Sequence, residues 1–176
     1  IGRPSDLYGR DWSKKYEVKI FEDIPKTIKL FDIMVGCTGT LLDRDIWAKE
    51  RRKVYGRAGD YRTPKHGFEY RTLSNFWLKD YIYMSLMFGL ARTACEFLYW
   101  GWEQEIFRET ESIDIEGIIN DNDINGAIEV YNIMEEYYEL LERYDHFPLN
   151  RNTVKPFRKF FMSDYKPGGK DNLIDY

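Results

Sequence analysis

The residues best suited to chemistry lie in two short motifs in the first half of the chain. A glycine-punctuated loop carries Arg57 and Arg62, and the segment that follows it carries Glu69 and Arg71. A guanidinium is planar and binds phosphate oxygens through paired N–H donors, and a carboxylate is a ligand that Mg²⁺ prefers. These residue types therefore indicate chemistry on a polyanion, such as the transfer of a phosphoryl group.

The spacing of the second motif predicts a strand with two unlike faces. In a strand, Glu69 and Arg71 point to one face, while Phe68, Tyr70 and Thr72 point to the other. A Glu/Arg pair two residues apart is more often a surface salt bridge than a functional site. The two arginines of the upstream loop favour the functional interpretation.

Taken together, the two motifs resemble a known family, the phage carboxylate-amine ligases. These are also called amidoligases of the second type and belong with glutamine synthetase and glutamate-cysteine ligase. The resemblance rests on the runs Tyr55-Gly56-Arg57-Ala58-Gly59, Tyr61-Arg62 and Gly67-Phe68-Glu69-Tyr70-Arg71-Thr72-Leu73-Ser74-Asn75-Phe76-Trp77. It is clearest over residues 28–77 and continues more loosely to about residue 141.

The resemblance implies ATP-dependent amide formation from a small-molecule or peptide carboxylate and an amine. In such a reaction the carboxylate becomes an acyl phosphate, and the amine then displaces phosphate. By position, Glu69 resembles the metal-binding glutamate, which implies Mg²⁺ as cofactor beside ATP. Arg71 and Arg62 resemble catalytic arginines that contact substrate or phosphate, and Arg57 resembles a nucleotide contact, with Arg52 as a further candidate.

The sequence departs from this family in one respect that leaves a second hypothesis open. Such ligases take other metal-binding carboxylates from an N-terminal half, and the chain, which opens with Ile1, shows no such half. We expect that this half is missing, or is a partner chain, or that the chain is a degenerate relative. The alternative to an enzyme is a ligase-like binding or structural protein that recognises a polyanion or an acidic partner.

The remaining pattern predicts a single α+β domain over residues 1–176, with helices on an incomplete antiparallel sheet. The resemblance implies that the sheet is glutamine synthetase-like. Alternating apolar residues predict strands over 16–21 and 68–73. Asp23 and Pro25 predict the start of a helix that ends near Cys37, closed by Gly36 and Gly39.

Four further segments complete the predicted organisation. Residues 41–67 are expected to form a helical turn followed by a long ordered loop. Residues 76–108 are expected to form one buried helix, and residues 124–141 an amphipathic surface helix. Residues 166–176 are polar and predict a flexible tail.

Composition and charge exclude several classes of protein. The 176 residues include 26 basic and 30 acidic side chains, and the net charge of -4 opposes nucleic-acid binding. Residues 155–161 do mix aromatic and basic side chains, as surfaces that bind single strands do. The longest apolar stretch, residues 81–91, is too short to span a membrane and is expected to pack in the core. With two cysteines and two histidines, a zinc site is not expected. The two cysteines could form one disulfide, but nothing else suggests a secreted scaffold, so we predict free thiols. Free thiols favour the cytoplasm, that of a bacterial host if the chain is phage-encoded.

One further motif resembles half of a calcium-binding loop. Residues 121–126 match the start of an EF-hand, but the twelfth position is Asn132, where a bidentate glutamate is expected. We therefore predict that this segment caps the N-terminus of the next helix.

Overall fold

A computed structural model describes residues 22–43, 45–65 and 67–143, which form a mostly helical structure with one small hairpin. In chain order the elements are α1 (Ile24–Phe31), a π-helical turn (Asp32–Gly36), α2 (Cys37–Leu42), α3 (Ala48–Val54), β1 (Tyr61–Arg62), β2 (Glu69–Tyr70), a 3-10 turn (Phe76–Leu78), α4 (Tyr81–Trp100), α5 (Glu103–Glu109), α6 (Ile115–Asp121) and α7 (Ile124–Arg143). This architecture is compatible with the predicted α+β class. The predicted strand over 16–21 and the segments 155–161 and 166–176 lie outside the described residues.

The helical segment that runs from α1 through the π-helical turn to α2 forms the centre of the core. Asp23 caps its N-terminus by accepting a hydrogen bond from the Lys26 N–H at 3.0 Å, and a proline lies in its first turn. Leu30 and Met34 are fully buried on it. The predicted start of the helix is therefore confirmed, but the predicted end near Cys37 is wrong, because helical structure continues to Leu42.

The two glycines that were expected to end this helix instead allow close packing against it. A Cβ atom on Gly36 would lie 2.5 Å from the Tyr70 hydroxyl and 2.7 Å from Ile119 Cδ1. A Cβ atom on Gly39 would lie 2.5 Å from Leu73 Cδ2. The two glycines are therefore needed for close packing with Tyr70, Ile119 and Leu73. The local sequence pattern alone cannot distinguish such glycines from glycines that end a helix.

The single buried helix expected over residues 76–108 is divided into three pieces. A 3-10 turn precedes α4, and α4 ends at Trp100 because Gly101 adopts a φ of 77°, a left-handed conformation that terminates helices. α5 then starts at Glu103. Leu86 and Phe97 are buried, whereas Phe88 is exposed, so α4 covers the core with only part of its surface.

The last described helix agrees with its prediction. α7 buries Val130, Met134 and Tyr138 against the core and is amphipathic. Asp123 precedes it, and its Oδ1 atom accepts the Asn125 N–H at 3.0 Å. The interpretation of residues 121–126 as a helix cap is therefore confirmed.

Candidate functional site

The hairpin is much shorter than the predicted strand over 68–73, but it has the predicted two faces. Its strands are antiparallel, with Tyr61 opposite Tyr70 and Arg62 opposite Glu69. Phe68 is buried behind it. The loop before β1 turns at Gly56 and Gly59, whose φ angles of 73° and 76° are left-handed conformations that glycine adopts without strain.

Glu69, Arg62 and Arg71 form a charged cluster on the outer face of the hairpin. Arg62 Nε lies 2.6 Å from Glu69 Oε2, and Arg71 Nε lies 3.7 Å from Glu69 Oε1. The Arg62 side chain is 62% exposed and that of Glu69 is 37% exposed, so solvent and solutes reach both groups. Three of the five predicted site residues are therefore brought together. The strand pattern predicted that Glu69 and Arg71 share a face, and pairing with β1 adds Arg62.

Arg71 is oriented by two further residues. Its guanidinium carbon lies 4.5 Å from the centroid of the Tyr55 ring, and its Nε donates a hydrogen bond to the Tyr55 hydroxyl at 3.0 Å. The hydrogen bond to Tyr55 raises the pKa of Arg71, so the group stays a cation. Arg71 NH1 also lies 3.8 Å from Asp60 Oδ1. Arg71 is thus held in place, while its side chain remains 28% exposed.

Arg57 is not part of this cluster in its described contacts. Its Nε donates to the Arg52 carbonyl at 3.2 Å, and its NH2 group donates to the Lys53 carbonyl at 3.1 Å. These carbonyls belong to the last turn of α3, where a cation also interacts favourably with the helix dipole. Arg57, which the resemblance places in the same site as Glu69, therefore does not contact Glu69, because the C-terminus of α3 takes up its donors.

Arg52, the other predicted nucleotide contact, lies inside the protein. It is 3% exposed, and its NH1 group donates to Asn122 Oδ1 at 2.6 Å, while its NH2 group donates to Thr40 Oγ1 at 3.4 Å. Burial lowers the pKa of Arg52, and the nearby charge of Asp43 opposes that shift. Arg52 joins α3 to α2 and to the end of α6, which is a structural role.

The inner face of the hairpin carries a polar group that the sequence analysis missed. The Tyr70 hydroxyl donates a hydrogen bond to Asp32 Oδ1 at 2.6 Å. Burial raises the pKa of Asp32 to about 6, and the charge of Glu116 also raises it, whereas hydrogen bonds from Tyr70 and from the Gly59 backbone lower it. The signal was present in the sequence, because Asp32 interrupts the apolar stripe of the first helix between Phe31 and Ile33.

Two clefts lie beside the hairpin. The first, of about 400 Å³, is mostly apolar and contains Glu69 as the charged residue of its lining, with Phe31, Phe68, Trp77 and Phe88 among its walls. The second, of about 420 Å³, contains Asp32 and Glu116. Both have the size of sites for small molecules.

Three other kinds of feature add no candidate site in the part of the chain that the structure describes, namely metal-ligand clusters, cysteines and long apolar helices. In the described part of the chain, no three His, Cys, Asp or Glu side chains lie close enough to hold a metal ion by themselves. Cys37 and Cys95 are free and buried, and burial raises the pKa of both thiols. Across residues 22–43, 45–65 and 67–143, none of the helices combines the length and the apolar character needed to span a bilayer.

Comparison with known protein families gives a match over most of the chain. No curated protein matches the chain, and no solved structure matches it. A family model described as phage phiEco32-like COOH.NH2 ligase-type 2 matches residues 22–167, which includes the whole hairpin and all the helices described above. The chain therefore belongs to the phage phiEco32-like family of type 2 carboxylate-amine ligases.

Proposed function

We propose that the protein is an ATP- and Mg²⁺-dependent ligase that joins a carboxylate to an amine through an acyl phosphate. The family name supports carboxylate-amine ligation. The proposed dependence on ATP and Mg²⁺ rests on the charged cluster of the hairpin, in which Arg62 and Arg71 flank Glu69. Their exposed donors suit a transferring phosphoryl group.

In the proposed reaction, a carboxylate oxygen of the substrate attacks the γ-phosphorus of ATP, and ADP leaves. The neutral amine then attacks the carbonyl carbon of the acyl phosphate, and phosphate leaves with the electrons of the broken C–O bond. The nitrogen gives up one proton to phosphate or to solvent. Arg62 and Arg71 would balance the negative charge of the phosphoryl group in the first step. Tyr55 would keep the Arg71 guanidinium aligned, since it contacts both its face and its Nε atom.

Glu69 fits a partial role in metal binding. Its carboxylate is exposed enough to contribute oxygen ligands, and Mg²⁺ prefers such ligands together with water and substrate phosphates. The ion would supply positive charge that offsets the negative charge of the phosphate groups. We propose that further carboxylate ligands come from another part of the protein or from a partner chain, because Glu69 supplies only one side chain.

The alternative function is a ligase-like protein that binds a polyanion or an acidic partner without turnover. One observation favours it. Glu69 already contacts both arginines, which occupy the carboxylate that a metal ion would need. A site that recognises anions needs the arginines but not a metal.

The test is ATP turnover and amide formation by purified protein with Mg²⁺ and a panel of carboxylates and amines. Glu69→Gln should lower turnover by about two orders of magnitude or more, because the amide keeps the shape but supplies no anion for the metal. Glu50→Gln is the matched control, since Glu50 also forms an exposed 2.6 Å ion pair, with Lys53. Equal activity of the two variants would exclude Glu69 from the mechanism. Absence of turnover in the wild type would favour the alternative, a protein that binds anions without turnover.

A further inference from the structure

Arg51, which the sequence analysis did not assign to the site, joins the loop before β1 to the segment that follows β2. Its NH1 group donates to the Tyr55 carbonyl at 3.4 Å, and its NH2 group donates to the Thr72 carbonyl at 2.8 Å. The Arg51 carbonyl also accepts the Tyr55 N–H at 2.8 Å. Arg51 therefore contacts both polar groups of the Tyr55 backbone and the residue that directly follows Arg71.

The turn at Gly56 packs directly against the Arg51 guanidinium. A Cβ atom on Gly56 would lie 2.5 Å from Arg51 NH1 and 3.0 Å from the Arg71 carbonyl oxygen. The Gly56 N–H donates to Asp60 Oδ2 at 3.1 Å, and the Asp60 carbonyl accepts the Arg71 N–H at 2.9 Å. The loop and the backbone of Arg71 are therefore in close contact at the place where Arg51 bridges them.

The orientation of the Tyr55 side chain depends on its backbone. Tyr55 leaves α3 in an extended conformation with a φ of -155°, and Gly56 follows it with a φ of 73°. Tyr55 is 45% exposed, so packing in the core does not fix its ring, and the adjacent glycine is conformationally permissive. The contacts from Arg51 to the Tyr55 N–H and carbonyl restrain this backbone.

We infer that Arg51 is a positioning residue of the charged cluster, which holds Tyr55 so that Arg71 presents its N–H donors to an anion in one direction. The Tyr55 ring centroid lies 4.5 Å from the Arg71 guanidinium carbon, and the Tyr55 hydroxyl accepts the Nε–H at 3.0 Å. A shift of Tyr55 would therefore change both contacts. NH1 and NH2 of Arg51 already donate to carbonyls, so Arg51 acts through Tyr55. Arg71 contacts the phosphoryl group in the proposed function, and the inference rests on that role.

The first readout is the Arg71 Nε–H cross-peak in a ¹H–¹⁵N NMR spectrum, which is assigned by its absence in Arg71→Lys. A proton held at the tyrosine hydroxyl and ring exchanges slowly with water and carries a ring-current shift. Arg51→Lys keeps the charge but replaces the fork with one ammonium group, so this shift should decrease and exchange should accelerate. Arg57→Lys is the matched control, because Arg57 also donates to two backbone carbonyls, which belong to α3, and its cross-peak effect should be absent.

The second readout is the affinity for inorganic triphosphate, measured by calorimetry without ATP or Mg²⁺. Arg51→Lys should weaken binding about fivefold, because a charge-assisted contact from Arg71 loses its alignment, and Arg57→Lys should weaken it less than about twofold. In a Tyr55→Ala background, Arg51→Lys should cause no further loss, because Arg71 has already lost the ring and the hydroxyl. An Arg51 that only stabilises the loop would weaken binding equally in both backgrounds.

Circular dichroism checks the fold of each variant, and Arg51→Gln, which should give the same two results, replaces Arg51→Lys if the lysine variant does not fold. An unchanged Arg71 cross-peak in the Arg51 variant would overturn the inference. Equal effects of Arg51→Lys and Arg57→Lys, or equal losses with and without Tyr55, would overturn it as well. Both expected results without amide formation by the wild type would count against the ligase alone. Amide formation by the wild type with an unchanged cross-peak in Arg51→Lys would count against the role of Arg51 alone.

Discussion

The four arginines that the sequence analysis assigned to the site fall into two pairs that differ in what their donors contact. Arg52 and Arg57 donate to protein atoms that hold the α3 region together, namely Asn122 Oδ1, Thr40 Oγ1 and two backbone carbonyls. Arg62 and Arg71 instead contact carboxylates and a tyrosine at an accessible surface. An arginine in a glycine-rich loop thus indicates a ligand site only when its donors are not used by the fold.

The largest expected effect is on stability when Arg52 is removed. Arg52→Ala should lower the free energy of unfolding by about 3 kcal/mol or more. Without the guanidinium, Asn122 Oδ1 and Thr40 Oγ1 lose their hydrogen-bond donor, and the charge of Asp43 loses a nearby cation. Urea denaturation measures this change. Arg108→Ala, which removes an exposed arginine paired with Glu105, should change stability by about 0.5 kcal/mol or less. Similar effects of the two changes would contradict a structural role for Arg52.

A second expected effect is a pH dependence of stability that comes from Asp32, which lies against the inner face of the hairpin. The folded-state pKa of Asp32, about 6, lies above its ordinary value of 3.8, so the folded state binds more protons between these values. The stability contribution of this group is therefore present below pH 4 and is lost as the pH rises through 6. Asp32→Asn should remove this component, on the order of 2 kcal/mol between pH 4 and 7. Thermal unfolding at several pH values measures it, and an unchanged pH profile would show that Asp32 titrates normally.

A smaller effect separates Arg57 from Arg62. Arg57→Ala should lower the free energy of unfolding by about 1 kcal/mol, since two hydrogen bonds to the α3 carbonyls and a favourable dipole interaction are lost. Arg62→Ala should lower it by about 0.5 kcal/mol or less, because its ion pair with Glu69 is exposed. Denaturant titration of both variants gives the comparison. A larger loss in Arg62→Ala would reverse the assignment of the two residues.

The sequence was informative where local pattern decides structure. Alternation along residues 68–72 placed Glu69 and Arg71 on one face and Tyr70 on the other, and the spacing in α7 placed its apolar side in the core. The sequence was not informative where the structure depends on contacts between residues that are far apart in the chain. The glycines of the first helix accommodate Tyr70 and Leu73, and the partners of Arg52 lie 12 and 70 residues away along the chain. The local pattern showed Asp32 only as a break in an apolar stripe, and its partner Tyr70, 38 residues away, could not be read from that pattern.

The division of the arginines into a structural pair and a ligand-binding pair is tested most directly by comparing ATP turnover in Arg71→Lys and Arg57→Lys. The turnover of each variant is normalised to the folded fraction measured by circular dichroism. Lysine keeps the charge but replaces the planar fork with a single ammonium group, which removes paired contacts to phosphate. We predict that Arg71→Lys lowers turnover about tenfold or more, and that Arg57→Lys leaves turnover per folded molecule within about twofold of the wild type. Equal loss in both variants, or loss in Arg57→Lys alone, would contradict the account.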